Sequence, residues 1–334
     1  MGRALADRPA LNAQVTEARQ RTPAPAVAIG GAIDIGSNSV HLLVALTGPG
    51  WVEPLRDTSE LLGLGDTVDR DGLIPADARA RVIEVLRTYV DMAHRSHAQR
   101  LTLLGTEPLR RAGNTDTLIA EIAEATGLRL RVLSEREEAV LTFIGVTRGL
   151  PPAFPTIVVD IGGGSTEVAT WIPGEPLRVT NIALGSARLS ASIVEHDPPT
   201  SRELDRLWRT AADAVAKSMS PSPGPTSMSR AEAVFVGGTA TNVARLGQLT
   251  RKALGEDRRR LAKLTVEAIT SRYNIKPRRA RQLAAGVAIV DAVLEAHGLE
   301  TAAVSEASLR DGAIIAAAQL GDDWPDRLEE LAAP

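Results

Sequence analysis

Cysteine is absent from the 334-residue chain, and aromatic residues make up only 3% of it. Without thiols the chain has no disulfides, iron–sulfur clusters, thiolate zinc sites or cysteine nucleophiles. With so few aromatic side chains, it offers little surface on which the bases of single-stranded nucleic acid can stack. These two shortages exclude thiol chemistry and argue against a single-strand-binding protein.

Long hydrophobic runs and a strong charge imbalance are also missing. No apolar stretch approaches the roughly 20 residues of a membrane-spanning helix, and the N-terminus has no continuous apolar segment of the signal-peptide kind. Lys and Arg number 38 against 41 Asp and Glu, a net charge of −3, which is unlike a protein that coats nucleic acid. We therefore expect a globular cytoplasmic protein of about two domains that binds neither membranes nor a nucleic-acid polymer.

Two segments interrupt the globular pattern. Residues 1–26 carry arginines and prolines but little apolar periodicity, so packing them would not offset the entropy of ordering them. The Leu-Pro-Pro-Ala-Phe-Pro run at 150–155 breaks a helical pattern. The sequence thus predicts a flexible extension at 1–26, a first domain at 27–149 and a second at 150–334. A Ser- and Pro-rich surface loop is expected at 218–229.

The two halves of the chain repeat one pattern. Asp34-Ile-Gly-Ser-Asn-Ser39 lies between two apolar runs, and so does Asp160-Ile-Gly-Gly-Gly-Ser-Thr-Glu167. An apolar run, a glycine-centred turn and a second apolar run predict a β-hairpin. Each copy also opens its own series of strands and helices. The sequence therefore predicts an α/β fold built from a duplicated unit.

Three glycine-rich turns each follow a predicted strand. Because glycine has no Cβ, main-chain N–H groups there can approach an anion closely, and Ser or Thr hydroxyls add donors. None of the three has the spacing of a Walker or a dinucleotide-binding motif. For any one loop alone, a tight turn that needs positive φ is the favoured interpretation. The duplicated Asp-Ile-Gly pair with its hydroxyl residues favours one phosphate-rich ligand held between two domains. The turns are Gly36-Ser-Asn-Ser39, Gly162-Gly-Gly-Ser-Thr166 and Gly237-Gly-Thr-Ala-Thr241.

Carboxylates adjoin these turns. Asp34, Asp160 and Glu167 stand beside the first two loops. Phosphate sites commonly hold Mg²⁺ through one or two carboxylates plus phosphate oxygens. A carboxylate that caps local N–H groups of a turn is the alternative. Because the loops are glycine-rich, we expect these three residues to bind metal.

Two further elements leave alternatives open. Ser134 and Glu137 have capping-box spacing, and the carboxylates of Glu135, Glu137 and Glu138 suit a helix N-terminus. One of those carboxylates instead activates water if nearby negative charge raises its pKa. Thr106 and Arg110 follow a strand and suit a phosphate contact. A solvated arginine before Asn114, the expected cap of the next helix, fits the pattern as well.

Several of these elements together resemble the exopolyphosphatase/guanosine pentaphosphate phosphohydrolase (Ppx/GppA) phosphatase family in its short, two-domain form. The matches run in family order from about residue 30 to about residue 320. They are Ala32-Ile-Asp-Ile-Gly-Ser-Asn-Ser39, Leu109-Arg-Arg-Ala-Gly-Asn114, Glu137-Glu-Ala139, Asp160-Ile-Gly-Gly-Gly-Ser-Thr-Glu167, Gly237-Gly-Thr239 and Leu309-Arg-Asp-Gly312. The resemblance implies a duplicated ribonuclease-H-like fold of the actin-like ATPase (ASKHA) kind, with the active site in the interdomain cleft. A final helix at about 308–320 is expected to pack back toward the first domain.

The resemblance also implies roles for individual residues. Glu138 matches the family's general base, and Asp160 and Glu167 match its acidic pair at the metal and the attacking water. The matched phosphate-contacting positions are Gly36, Ser37, Asn38, Thr106, Arg110, Gly163, Gly164, Ser165, Gly238 and Thr239. The chain departs from the family pattern elsewhere, with Glu135 for a glycine, Glu107-Pro108 for small residues, Ser308 for a glycine and Asp311 for Glu. The altered loops bear on substrate preference.

The function expected from this resemblance is Mg²⁺-dependent release of terminal orthophosphate from inorganic polyphosphate, with Mn²⁺ as a substitute ion. The alternative substrate is guanosine pentaphosphate, pppGpp, cleaved at its 5′ end. Two other classes share the fold: a sugar or acetate kinase, which ATP-dependent phosphorylation of a small molecule would identify, and a non-catalytic sensor of guanosine tetra- or pentaphosphate. Pure binding requires no base, so the acidic set Glu138, Asp160 and Glu167 argues against the sensor. A homodimer is expected from the frequency of symmetric dimers.

Overall fold

The computed structural model describes residues 27–218 and 230–332. The predicted extension at 1–26 and nearly all of the predicted loop at 218–229 lie outside the described residues. The strands are β1 Ala28–Ile35, β2 Ser39–Gly48, β3 Trp51–Leu61, β4 Arg100–Gly105, β5 Leu130–Val132, β6 Thr156–Ile161, β7 Thr166–Trp171, β8 Arg178–Ile182, β9 Glu232–Val236 and β10 Ala303–Val304.

The helices alternate with these strands. They are α1 Leu64–Asp71, α2 Ala76–Arg95, α3 Glu107–Arg111, α4 Thr115–Thr126, α5 Glu135–Thr147, α6 Ser186–Ile193, α7 Ser201–Ser218, α8 Gly237–Ala244, α9 Arg251–Leu261, α10 Val266–Tyr273, α11 Pro277–Ala296, α12 Leu309–Leu320 and α13 Leu328–Ala332, with a 3₁₀ turn at Gly321–Asp326. We call β1–β5 with α1–α5 the first lobe and β6–β10 with α6–α11 the second lobe. No helix of the described parts combines the length and the apolar character needed to cross a bilayer.

The two sheets have the same topology. The first has the strand order β3-β2-β1-β4-β5, and the second has the equivalent order β8-β7-β6-β9-β10. In each lobe the first two strands form an antiparallel hairpin, and the first strand also pairs in parallel with a later one. Asp34 lies opposite His41 in the first hairpin, and Asp160 lies opposite Glu167 in the second. The predicted hairpins and the predicted duplicated α/β fold are confirmed.

Side chains that alternate between the two faces of each strand divide the interior into layers. Ile33 and Ile35 pack on the outer helices of the first lobe, whereas Ala32, which precedes Ile33, faces a central layer. That central layer contains α5 and α12 between the two sheets, and it joins Phe143 and Ile314 to residues of both lobes. A third cluster covers the outer face of the second sheet with α7 and α11. The order is helices, sheet, two central helices, sheet, helices.

Helices α5 and α12 cross at very short range. An ideal Cβ on Gly312 would lie 1.8 Å from the carbonyl oxygen of Leu141, and one on Gly145 would lie 2.3 Å from that of Ser308. Only glycine permits this approach, because any side chain would overlap the opposing backbone. Helix α12 also packs on β1 and β2 of the first lobe. The crossing fixes α5, which carries Glu138, against the start of α12.

The predicted helix caps have different outcomes. Ser134 and Glu137 form the predicted capping box at the start of α5, because each side chain bonds to the other residue's main-chain N–H. Asn114 precedes α4 as predicted, but the predicted capping bond is wrong. Its amide oxygen accepts from Ile74 N at 2.9 Å, and its amide nitrogen donates to Ile74 O at 2.8 Å. The amide satisfies the main-chain donor and acceptor of one distant residue instead of capping its own helix.

Candidate active site

A cavity of about 370 Å³ lies between the lobes, where the two Asp-Ile-Gly turns face each other. The turns contact closely: Asn38 Nδ2 is 2.7 Å from the position that a Cβ on Gly163 would occupy. The start of α8 and the segment before α12 complete the walls. A ligand in this cavity therefore contacts both lobes.

Four of the seven carboxylic acids that line the cavity form one acidic cluster. Asp34 is the second-last residue of β1, Asp160 and Glu167 face each other across the β6–β7 hairpin, and Glu138 stands in the first turn of α5. Removal from water raises the pKa of Asp34 to about 7, that of Asp160 to about 6 and that of Glu138 to about 8. The pKa of Glu167 rises as well, first through burial and then through repulsion from Glu138 and Asp160. This crowding of buried carboxyls favours proton binding and cation binding.

Arg110 contacts the acid cluster through Glu138. Its Nη1 donates to Glu138 Oε2 at 2.8 Å and to the carbonyl oxygen of Leu133 at 2.9 Å. The ion pair lowers the pKa of Glu138, but burial outweighs that effect. The structure thus places Arg110 behind Glu138, where it orients the carboxylate toward the cavity.

The structure separates the three glutamates at the start of α5. Glu137 is engaged in the capping box and in an ion pair with Arg131, and Glu135 is exposed. Glu138 is buried and lines the cavity. The helix-terminus interpretation therefore fits Glu137, and Glu138 is the one of these three glutamates that lines the cavity.

The phosphate-loop candidates have different placements. Most of them line the cavity, namely Gly36, Ser37, Asn38, Thr106, Gly163, Gly164, Ser165 and Gly238. The hydroxyls of Ser37 and Thr106 already donate to protein oxygens, Ser37 to Glu107 Oε2 at 2.8 Å and Thr106 to Ile35 O at 3.2 Å. Thr239 Oγ1 lies 2.9 Å from Ser186 Oγ in a buried hydrogen bond. Thr239 therefore supports the third loop from behind.

Sequence reasoning missed two arginines of the cavity. Arg279 in the first turn of α11 lies against the third loop, with Nη2 2.9 Å from the position of a Cβ on Gly238. Burial and the neighbouring Arg278 lower the pKa of Arg279. Arg310 at the start of α12 donates to Asp57 Oδ1 at 2.8 Å. Its positive charge partly offsets the burial that raises the pKa of Asp34 and of Asp160. The basic run at 276–281 and the Leu-Arg-Asp-Gly element were the available signals.

The acidic residues have the donor chemistry that Mg²⁺ requires. Among the described residues, no group of three or more His, Cys, Asp or Glu side chains is arranged to hold an ion by itself. However, Asp34 Oδ1 and Glu167 Oε1 are buried oxygens that accept no hydrogen bond within the described parts of the chain. Mg²⁺ commonly keeps several waters and uses only one or two carboxylates plus phosphate oxygens. The residues present therefore fit an ion that binds together with a phosphate ligand.

Comparisons with known proteins agree with this geometry. The model of the Ppx/GppA phosphatase family matches residues 43–320. The chain is 29% identical over 303 residues to exopolyphosphatase 1 of Mycobacterium leprae (85% of this chain, 88% of that protein). It is 30% identical over 312 residues to exopolyphosphatase 2 of Mycobacterium tuberculosis (84% and 96%).

The fold also matches solved structures. The crystal structure of the Aquifex aeolicus Ppx/GppA family member superposes with a TM-score of 0.75 at 25% identity, over 89% of this chain and 99% of that one. An exopolyphosphatase from Cytophaga hutchinsonii has the same fold, with a TM-score of 0.73 at 21% identity over 87% and 97% of the two chains. The duplicated α/β fold and the family predicted from the motifs are both confirmed. This chain belongs to the Ppx/GppA phosphatase family.

Proposed function

We propose that this protein is a Mg²⁺-dependent exopolyphosphatase that releases terminal orthophosphate from inorganic polyphosphate. The observation that carries the proposal is the placement of Glu138, which Arg110 holds at the wall of a cavity that two glycine-rich turns also line. The names of the mycobacterial relatives support the substrate. Action in the cytoplasm and a homodimeric assembly belong to the same proposal.

The chain's own residues account for binding and orientation. Main-chain N–H groups of residues 37–38 and 163–165 surround the terminal phosphate, because the glycines of these turns allow close approach. Arg279 and Arg310 supply positive charge to the chain of phosphates. Such positioning and electrostatic stabilisation account for most catalysis of phosphoryl transfer.

Glu138 is the proton acceptor in this proposal. Its raised pKa suits a general base that operates near neutral pH. The carboxylate takes a proton from the attacking water, whose oxygen bonds to the terminal phosphorus as the bridging P–O bond breaks. Arg110 acts as a positioning residue, since it contacts Glu138 and Leu133 rather than the cavity itself.

Asp160 and Glu167, with Asp34 beside them, would hold the metal ion. A bound Mg²⁺ or Mn²⁺ supplies charge neutralisation of the phosphate oxygens. The two orphaned carboxylate oxygens, Asp34 Oδ1 and Glu167 Oε1, support this assignment because both are buried and accept no hydrogen bond from the described residues.

Phosphate release measured side by side on several substrates tests the proposal. The substrates are polyphosphates of several lengths, guanosine pentaphosphate and ATP, each with and without Mg²⁺. We expect orthophosphate from polyphosphate, and only with the metal ion present. Faster cleavage of guanosine pentaphosphate would transfer the assignment to that substrate. ATP-dependent phosphorylation of a small molecule, or binding without turnover, would overturn it.

A further inference from the structure

A second cavity, of about 400 Å³, lies in the second lobe. Its walls come from α6, the segment 194–199 that follows α6, the region where α9 gives way to α10, and the first half of α11. Asp66 of α1 is the residue that the first lobe contributes. Among the described residues, this cavity has no lining residue in common with the one that Glu138 lines. A ligand bound here would therefore occupy a separate site.

The walls of the second cavity are largely apolar. Leu261 and Ile269 are buried, and Val194 and Leu264 line the cavity as well. A cavity of this volume, with apolar walls and a few polar groups, is typical of sites for small organic molecules. The apolar part of such a ligand would displace water from these side chains.

Gln282 is the polar side chain of this wall that has an unpaired atom. The residue lines the cavity and is 9% exposed, and its Oε1 accepts no hydrogen bond within the described parts of the chain. A buried acceptor without a donor costs free energy in the folded protein. The amide can turn about its Cγ–Cδ bond, because terminal torsions of this kind are broad, and then presents both its oxygen and its nitrogen to the cavity. In contrast, the Ser190 hydroxyl already donates to Arg281 O at 2.7 Å.

Two arginines of α11 bring positive charge to the cavity. Arg278 and Gln282 are four residues apart on one face of the helix, which places their Cβ atoms about 5–6 Å from each other. Arg278 Nη2 donates to Asp66 Oδ2 at 2.6 Å, and this pair joins the two lobes. Arg281 is exposed, and the ion pairs of the described residues include Arg278 but not Arg281. Arg281 can therefore bind an anionic group of a ligand.

The carboxylates of the cavity have other partners or face water. Asp66 is paired with Arg278, and Asp197 Oδ1 accepts from Val266 N at 2.8 Å at the start of α10. Glu195 is exposed. The polar groups that a ligand would meet without displacing such a partner are thus the amide of Gln282, the guanidinium of Arg281 and the carboxylate of Glu195.

An adenine nucleotide matches the amide and the guanidinium. A Gln side chain can form two hydrogen bonds with adenine, because one edge of the base carries the N6 donor next to the N7 acceptor. The same edge of guanine carries two acceptors, O6 and N7, which one amide cannot satisfy together. A guanidinium group binds phosphate oxygens through paired N–H donors. The apolar walls suit the planar base.

We propose that the second cavity binds an adenine mononucleotide, with the base paired to Gln282 and the phosphate held by Arg281 and Arg278. The inference goes beyond the proposed function and does not depend on it. AMP has no phosphoanhydride bond, so it would bind as a ligand and not as a substrate.

The second cavity also adjoins the catalytic loop. Ala187 in the first turn of α6 lines it, and Ala187 N donates to Gly163 O at 3.0 Å. A phosphate bound to Arg278 would compete with Asp66 for that arginine. An occupied site would therefore contact the support of one phosphate loop and weaken one contact between the lobes.

Calorimetric titration of the full-length protein with AMP, adenosine and GMP tests the proposal. We expect the wild type to bind AMP at least about tenfold more tightly than adenosine, which lacks the phosphate, and than GMP, which lacks the N6 donor. No binding of AMP at millimolar concentration would overturn the proposal, and so would equal affinities for AMP and GMP.

Substitutions in α11 locate the site. Gln282→Leu keeps the volume of the side chain but removes both hydrogen bonds, so AMP binding should weaken about tenfold or more. The same variant without ligand should unfold at the same Tm as the wild type or at a higher one, because it no longer buries an unpaired acceptor. Gln248→Leu, at an exposed position outside the cavity, should bind AMP as the wild type does. Wild-type affinity for AMP in Gln282→Leu would overturn the proposed site.

The phosphate contact has its own variant. Arg281→Gln should bind AMP about tenfold more weakly and adenosine as well as the wild type does, because only the phosphate contacts the arginine. Arg87→Gln, at an exposed position of α2, is the control and should keep the wild-type preference for AMP. If Gln282→Leu does not fold, this pair decides: an unchanged preference for AMP over adenosine in Arg281→Gln would overturn the proposal.

Discussion

Arg110 and Glu138 form an ion pair in which Nη1 and Oε2 are 2.8 Å apart, at the point where α3 meets the first turn of α5. Both side chains are largely shielded from water, and burial still raises the pKa of Glu138 to about 8. The pair combines an oriented carboxylate with a proton affinity high enough for base catalysis. This relationship underlies the first two predictions.

Glu138→Gln should abolish most of the activity. The amide keeps the shape of the side chain but cannot accept the proton of water, so kcat on polyphosphate should fall about 10²- to 10⁴-fold with little change in KM. Initial rates of phosphate release measure this effect. Glu135→Gln, on the exposed side of the same helical turn, should retain wild-type rates. Near-full activity of Glu138→Gln would rule out the proposed base.

Arg110→Met should displace the pH profile. Glu138 must be ionised to accept a proton, so kcat/KM of the wild type should increase as the pH rises toward about 8. Arg110 lowers the pKa of Glu138. Loss of the arginine should therefore move the rising limb of the pH profile of kcat/KM to higher pH by about 1 unit or more. Rates measured from pH 6 to 10 test the shift. An unchanged limb in Arg110→Met would show that another group controls the profile.

Mg²⁺ should stabilise the folded protein. Asp34 and Asp160 have folded pKa values of about 7 and about 6, above their ordinary 3.8. The folded state thus binds more protons than the unfolded state between about pH 4 and pH 7, and without metal the stability should fall as pH rises through that window. Millimolar Mg²⁺ at pH 8 should restore the stability of the folded state. Tm should rise by about 2–4 °C for each kcal/mol that metal binding adds to the free energy of unfolding.

Asp160→Asn is the matched test of that stabilisation. The substitution removes one carboxylate of the cluster, so the variant should melt at a higher temperature than the wild type at pH 8 in EDTA. It should also respond less to Mg²⁺. Glu124→Gln should behave as the wild type does, because it lies on the exposed side of α4. Equal Mg²⁺ responses of wild type and Asp160→Asn would remove Asp160 from the ion site.

Gly312→Ala should destabilise the protein strongly. The added Cβ would lie 1.8 Å from Leu141 O, so α5 and α12 would have to separate, at a cost of about 3 kcal/mol or more. Gly255→Ala in α9 is the control, since no described atom lies within 4 Å of the added Cβ. That change should be neutral or stabilise by about 0.5–1 kcal/mol. Urea unfolding of both variants measures the difference, and similar midpoints would contradict the close crossing.

The sequence was informative where the signal is local. Glycine turns between apolar runs predicted both hairpins, and the recurrence of Asp-Ile-Gly predicted the duplication, since each pattern needs only a few neighbouring residues. The same is true of the capping box at Ser134. The placement of Asp34, Asp160 and Glu167 around one cavity also follows from paired strand ends.

Features that depend on distant contacts were missed. The bond that occupies Asn114 comes from Ile74, 40 residues away in the chain. The run at 276–281 does not indicate which arginine faces the cavity, because that depends on how α11 packs on the third loop. Glu107 contacts Arg188 of the other lobe, 81 residues further on. Contacts between residues so far apart in the sequence form only when the two lobes pack together.

The packing of α12 has a consequence for how the chain folds during synthesis. The inner face of the first sheet, including Ala32 and Leu43, is covered by residues such as Ile314, which is synthesised about 270 to 280 positions later. Until then this apolar surface remains exposed to water, although the strands that form it are made first. A chaperone, or another unfolded chain that leads to aggregation, would therefore bind this protein while only its amino-terminal half has been synthesised.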